Sequence, residues 1–204
     1  MPTPEEFAYW DYVAKSAITG ETDINYWKNN QILRRLLKWN LWGSNVLEIG
    51  AGMAMIALNL MNMMRFHYVG CEISEEFRKY AKDKSGLDLL PNAADRLPTS
   101  AGAVDYLFAF DVLEHIATDD RDSSYRELGR VLKPGALMFI HNPCEGHYQG
   151  HKKKFDPGFN LHDLQHLIDV GGLKLSEIEA YAIDIPVKEG KGHREYQWIT
   201  LVKK

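Results

Sequence analysis

The residues whose types and spacing most clearly suit chemistry are Glu48-Ile49-Gly50-Ala51-Gly52 and, 22 positions after Gly50, Glu72. Glycines at the end of an apolar run let the backbone turn tightly and let a ligand approach the start of the next helix, where unpaired N–H groups point outward. The run that precedes them, Asn45-Val46-Leu47-Glu48-Ile49, has the length and composition of a buried strand. Glu72 closes a second such run, His67-Tyr68-Val69-Gly70-Cys71. A carboxylate there can accept both hydroxyl hydrogens of a ribose, so turn and acid together point to an adenosine-containing ligand.

Two ligands of that kind compete. A dinucleotide site asks for a third glycine, G-x-G-x-x-G, so that the helix can pack close to a pyrophosphate, and Met55 stands at that position. Glu48, two residues before the first glycine, suits a cofactor with an ammonium group better than one with two phosphates. A methionine-derived cofactor meets both conditions.

The elements that must hold these groups follow from hydrophobic periodicity. Ile32, Leu33, Leu36 and Leu37, with Lys28, Arg34, Arg35 and Lys38 between them, predict an amphipathic helix before the first strand. A helix is expected from Met53 to Met64, and Ser74 is placed to cap another reaching Lys84. A weaker strand at Leu87 to Leu90 precedes a stronger one at Val104 to Phe110. A helix from Ser123 to Leu132 stops at Lys133-Pro134-Gly135, and the strand Ala136 to Ile140 follows. Asn160 can cap a helix over Leu161 to Val170 that ends at Gly171-Gly172. Two late strands, Leu173 to Ile183 and Glu195 to Val202, have no helix between them. The alternation predicts a doubly wound, Rossmann-like α/β fold: a mostly parallel seven-stranded sheet with an antiparallel C-terminal edge hairpin. At 204 residues one domain is expected, with a helical cap over 1–42, a cofactor-binding half over 43–141, and a substrate loop, helix and hairpin over 142–204.

Four stretches, in order, make the chain resemble the class I S-adenosylmethionine-dependent methyltransferases, especially the ubiquinone-biosynthesis-like branch. They are Val46 to Gly52; Val69 to Ile73; NAADRLP over 92–98 with VDYLFAFDVLEH over 104–115; and LGRVLKPG over 128–135. The resemblance implies S-adenosylmethionine as cofactor and S-adenosylhomocysteine as product. It implies that Glu48, Gly50, Ala51, Gly52 and Met53 surround the methionine part, that Glu72 binds the ribose, and that Ile73 packs on adenine. It further implies that Ala94 and Asp95 meet the adenine edge, while Phe110 and Asp111 line the pocket near the sulfonium. Relatives often place an acid just before that alanine; here the residue is Ala93.

A sulfonium methyl is already activated, so such an enzyme chiefly aligns an acceptor, and an oxygen acceptor also needs a base. His141, at the carboxyl end of the Ala136 strand, and His115 are the candidates. Some relatives hold a divalent metal on a run like Asp111-Val112-Leu113-Glu114-His115, with His141, His147 or His151 as a further ligand, but the same run occurs in metal-free relatives and no metal is assigned. His162 and His166, four apart beside Asp163, read as a solvated helix face. The acceptor should meet segments outside the Rossmann core: the N-terminal aromatics Phe7, Tyr9, Trp10, Tyr12, Tyr26 and Trp27, and the loop from Asn142 to Phe159.

Bulk properties set the remaining bounds. A net charge of −4 gives no general attraction to nucleic acid, although Lys152, Lys153 and Lys154 cluster. The isolated Cys71 and Cys144 provide no disulfide framework and fit a reducing cytoplasm. No apolar run approaches the roughly 18 residues of a membrane span, and Glu5 and Glu6 are wrong for a signal peptide. The expected function is methyl transfer to a small polar acceptor, with a hydroxyl oxygen first. The alternatives are an RNA methyltransferase and a non-catalytic cofactor-binding subunit.

Overall fold

The structure is a computed structural model that describes residues 3–19, 23–144, 157–187 and 190–204. Two helices, α1 (Pro4–Thr19) and α2 (Asp23–Leu36), precede a βα alternation: β1 (Asn45–Ile49), α3 (Met55–Met61), β2 (His67–Cys71), α4 (Glu75–Ser85) and β3 (Val104–Phe110). Two single-turn 3-10 segments, Leu113–His115 and Thr118–Asp120, lead to α5 (Arg121–Val131), β4 (Leu132–Pro143), α6 (Leu161–Gly171), β5 (Leu173–Val187) and β6 (Gly190–Lys203). The sheet runs β2-β1-β3-β4-β6-β5; β2, β1, β3 and β4 are parallel, and β6 joins β4 and β5 antiparallel.

Among the described residues six strands form where seven are predicted, because Leu87 to Leu90 makes only one bridge, Leu90 to Cys71. Gly86, left-handed at φ 70°, ends α4 immediately before the segment, and Pro91 follows without an N–H to continue a ladder. The bridge still matters: Leu90 donates to the Gly70 carbonyl and accepts from Glu72 N, each at 2.9 Å, which fixes the backbone that carries Glu72. Helix α3 is also shorter than the predicted 53–64, since Ala54 at its N-cap is left-handed at φ 55°.

Strand alternation sorts the side chains between two cores. Leu47, Ile49, Leu107, Ala109, Met138 and Ile140 face α5 and α6. Val46, Phe108, Phe110, Phe139 and Trp198 face α2 and α3, joined by Ile32, Leu36, Ile56 and Leu60. Glu48 and His141 fall in phase with the second set, which sends two polar groups toward the α2 side at the carboxyl ends of β1 and β4. The caps read from sequence form: Ser74 Oγ accepts from Phe77 N, and Asn160 makes a capping box with Asp163. Among the described residues no helix is long and apolar enough to cross a membrane.

Candidate functional site

The chain leaves β1 for β2 on one side of the sheet, and β3 pairs with β1 on the other, so the direction of winding changes between β1 and β3. Ligands of open α/β sheets bind beyond the carboxyl ends of strands at such a point. A cavity of about 400 Å³ lies there. Its wall contains Glu48, Gly50, Ala51, Gly52, Met53, Glu72, Ile73, Ala94, Asp95, Phe110 and Asp111, the whole predicted cofactor set.

The glycine turn has a steric reason for its composition. Gly50 has φ 62°, and a Cβ there would lie 2.5 Å from Val112 Cγ2, so both the conformation and the contact with the β3 loop exclude a side chain. Gly52, at φ 53°, has open space where a Cβ would be, and its N–H donates to Glu72 Oε2 at 2.8 Å. The other oxygen of Glu72 accepts from Ser74 N at 2.8 Å. Arg78 ties the carbonyls of Glu72 and Ile73 at 2.8 and 2.7 Å, completing a rigid β2–α4 turn. Burial raises the Glu72 pKa, and the N–H groups of Ser74 and Gly52 partly counter it.

Glu48 is only 3 % exposed. Its one hydrogen-bond partner among the described residues is Tyr68, whose hydroxyl donates to Oε2 at 2.6 Å. Burial pushes its pKa up to about 7; the Tyr68 hydrogen bond opposes this and the neighbouring Glu72 charge adds to it. Glu48 thus lines the cavity as a buried carboxyl with no cationic partner among the described residues.

Asp111, just past β3, is left-handed at φ 51°, a conformation rare outside glycine. Its Oδ2 pairs with Lys28 Nζ at 2.7 Å and its Oδ1 meets His141 Nδ1 at 2.9 Å. Burial would raise the Asp111 pKa, but His141 and Lys28 outweigh it and hold the carboxyl well below its usual range. An ionised carboxylate only accepts, so Nδ1 donates to Asp111 Oδ1, and Nε2 is hydrogen-bonded with Tyr181 OH at 2.6 Å.

That arrangement changes the reading of His141. The residue is fully buried, lies behind Asp111 and outside the cavity wall, and has both ring nitrogens engaged. It is not placed to take a proton from a ligand. His115 does line the cavity, and its ring lies 4.6 Å from that of Trp10. Among the described residues no three His, Cys, Asp or Glu side chains are grouped so as to hold a metal. His147, His151 and Lys152 to Lys154 lie outside the described residues, as does most of the Asn142 to Phe159 loop and the side chain of Tyr26.

The roof is built by the N-terminal helices. Glu6, Trp10, Val13 and Ala17 of α1 line the cavity at spacings of four, three and four, one helical stripe. Of the described N-terminal aromatics only Trp10 is in the wall; Phe7, Tyr12 and Trp27 are 38, 70 and 44 % exposed. From α2 come Lys28, Asn29 and Ile32. Lys28 was assigned to the polar side of its helix, although its position four before Ile32 puts it on the buried side.

Comparison with known proteins agrees with this geometry. A family model described as "Methyltransferase domain" matches residues 47–140. No curated protein matches the chain in sequence. Among solved structures, the Haloferax volcanii protein bound to the Trm112 methyltransferase activator superposes with a TM-score of 0.73 at 18 % identity, covering 97 % of each chain. A SAM-dependent methyltransferase from Methanosarcina mazei gives 0.66 at 16 % identity, over 82 % of this chain and 96 % of that one. A Haemonchus contortus phosphoethanolamine N-methyltransferase, solved with phosphomonomethylethanolamine and S-adenosylhomocysteine, gives 0.64 at 16 %, over 86 % and 52 %. At these identities the structural likeness is one of fold. Over residues 47–140 the chain is thus similar to a methyltransferase domain, and its fold is that of the solved methyltransferases on which it superposes.

Proposed function

We propose that the chain binds S-adenosylmethionine in the cavity beyond β1 and β3 and transfers its methyl group to a small polar acceptor held under α1 and α2. The observation that carries this reading is Glu48: a buried, cation-free carboxylate beside a glycine turn, in the same cavity as a Glu72 held by two backbone N–H groups. An ammonium group satisfies the first. Each Glu72 oxygen keeps a lone pair for a ribose hydroxyl. A pyrophosphate would instead meet Glu48 and Glu72 with Lys28 as the one basic side chain among the described wall residues.

Bound there, the cofactor supplies a methyl group already activated by its sulfonium charge. What remains for the protein is alignment and exclusion of water, and alignment alone can be worth roughly 7 to 11 kcal/mol. Trp10, Val13, Ile32 and Phe110 provide the apolar cover. With a hydroxyl acceptor, His115 is the imidazole that faces the cavity and can take the proton.

Calorimetric titration tests the cofactor directly. S-adenosylmethionine and S-adenosylhomocysteine are expected to bind and NAD is not. Glu72→Ala, which removes the ribose acceptor and frees the Gly52 and Ser74 N–H groups, should weaken both adenosyl ligands at least about tenfold. Binding of NAD in preference to either, or Glu72→Ala with unchanged affinity, would show the reading to be wrong.

A further inference from the structure

Lys28 is the one lysine or arginine among the described residues that line the cavity, and Asp111 is its one hydrogen-bond and ion-pair partner among them. Its side chain is 20 % exposed. An ammonium group has three N–H donors and no acceptor capacity, so the pair with Asp111 leaves donors at the cavity wall with no hydrogen-bond partner among the described residues. Such donors, largely shielded from water, call for a ligand oxygen.

The surroundings say which one. A Cβ on Gly50 would strike Val112, the residue after Asp111, so the Asp111 turn abuts the glycine turn and brings Lys28 to that end of the cavity. The cofactor's amino-acid end carries one ammonium and one carboxylate. Glu48 is the buried anion beside the turn and Lys28 the half-buried cation. Asp111 attracts the ligand's ammonium less than Glu48 does, because Lys28 already pairs with its charge.

We propose that Lys28 binds the carboxylate of the cofactor, and that His141 and Tyr181 are positioning residues that act on it through Asp111. The order of contacts is Lys28 Nζ to Asp111 Oδ2, Asp111 Oδ1 to His141 Nδ1, and His141 Nε2 to Tyr181 OH, at 2.7, 2.9 and 2.6 Å. The far end is fixed as well: the Arg35 guanidinium lies 4.1 Å over the Tyr181 ring and reaches Glu179 Oε1 at 2.9 Å. The Tyr196 ring stacks on His141 at 4.9 Å. Two side chains of α2, one helix, are thus anchored at both ends of one polar chain, which sets where the Lys28 ammonium can stand. Burial lowers the Lys28 pKa, and Asp111 more than offsets it, so the lysine stays charged.

The proposal rests on the cofactor reading above, and a pair of ligands separates the two. S-adenosylhomocysteine carries the carboxylate; S-adenosyl-3-thiopropylamine, its decarboxylated form, keeps the adenosine, the sulfur and the ammonium. The intact protein should bind the first more tightly. Lys28→Met should weaken S-adenosylhomocysteine about thirtyfold and change the thiopropylamine by no more than about twofold. Tyr181→Phe, which deletes one hydroxyl, should cost about three- to fivefold on S-adenosylhomocysteine alone. His141→Phe should cost about tenfold with the same selectivity, and if it does not fold, Tyr181→Phe carries that arm. Equal losses for the two ligands, or no preference in the wild type, would overturn the proposal. Wild-type protein that binds neither ligand would overturn the cofactor reading itself.

Discussion

Glu48→Gln should weaken S-adenosylmethionine binding about a hundredfold at pH 8, because removing one member of a buried ion pair costs about 3 kcal/mol. The same substitution should make the ligand-free protein more stable at that pH. Both expectations follow from the cavity-facing carboxylate, whose pKa burial raises from 4.5 to about 7. The folded protein therefore keeps a proton up to about pH 7 that the unfolded chain has released near 4.5. This group's contribution is fully present below pH 4.5 and is lost as pH rises through about 7, a loss on the order of 3 kcal/mol if the whole shift is expressed. Glutamine has no such proton to lose and can still accept from the Tyr68 hydroxyl. Denaturation at pH 5 and pH 8 should show the slope in the wild type and its reduction in the variant. Affinity runs the other way, since the ligand's ammonium needs the carboxylate form, and wild-type binding should tighten between pH 6 and pH 8. A variant that keeps both the wild-type affinity and the wild-type slope would remove Glu48 from the site.

The second large effect lies away from the chemistry. Gly129 of α5 faces Gly171, the last residue of α6, so closely that a Cβ on Gly129 would stand 2.1 Å from the Gly171 carbonyl oxygen. The obstacle is backbone at the end of a helix and cannot rotate aside. Leu128, Leu164 and Leu167 pack the same interface, so separating the helices also opens the core. Gly129→Ala should cost about 3 kcal/mol or more, lowering the melting temperature by about 10 °C in a chain of this size. Cofactor affinity of the folded protein should stay within a few-fold. A melting temperature unchanged by the methyl group would mean that the two helices are not in backbone contact.

What could be read from the sequence was what is local. The glycine turn, the acid that closes β2 and the caps at Ser74 and Asn160 depend on residues within a few positions of one another, and all form. Leu87 to Leu90 has the apolar content of a weak strand, but Gly86 and Pro91 at its ends confine pairing to one bridge. Lys28 and His141 show the harder limit. Alternation along β4 puts His141 on the face of Phe139, which is legible, but its partners Asp111 and Tyr181 lie 30 and 40 residues away. No pattern within a window of sequence announces that such groups meet. His141 was read as a base from its position at a strand end, and position alone does not tell an imidazole with a free nitrogen from one whose nitrogens are both engaged.

The two roof helices are fastened very differently. Helix α2 is held by Lys28 and by Arg35, whose side chains are 20 and 11 % exposed. Helix α1 is tied to α4 by Asp11, which accepts from Ser74 Oγ at 2.7 Å and Glu76 N at 3.3 Å, and by Lys15, 65 % exposed and 3.6 Å from Glu76. The exposed Lys15 pair is weak, which leaves the half-buried Asp11 contacts as the main polar tie of α1 to α4. Under the proposed function, passage of an adenosyl ligand in or out depends on how readily α1 lifts away, and weakening its contacts at the N-terminus of α4 should shorten the residence time of spent cofactor.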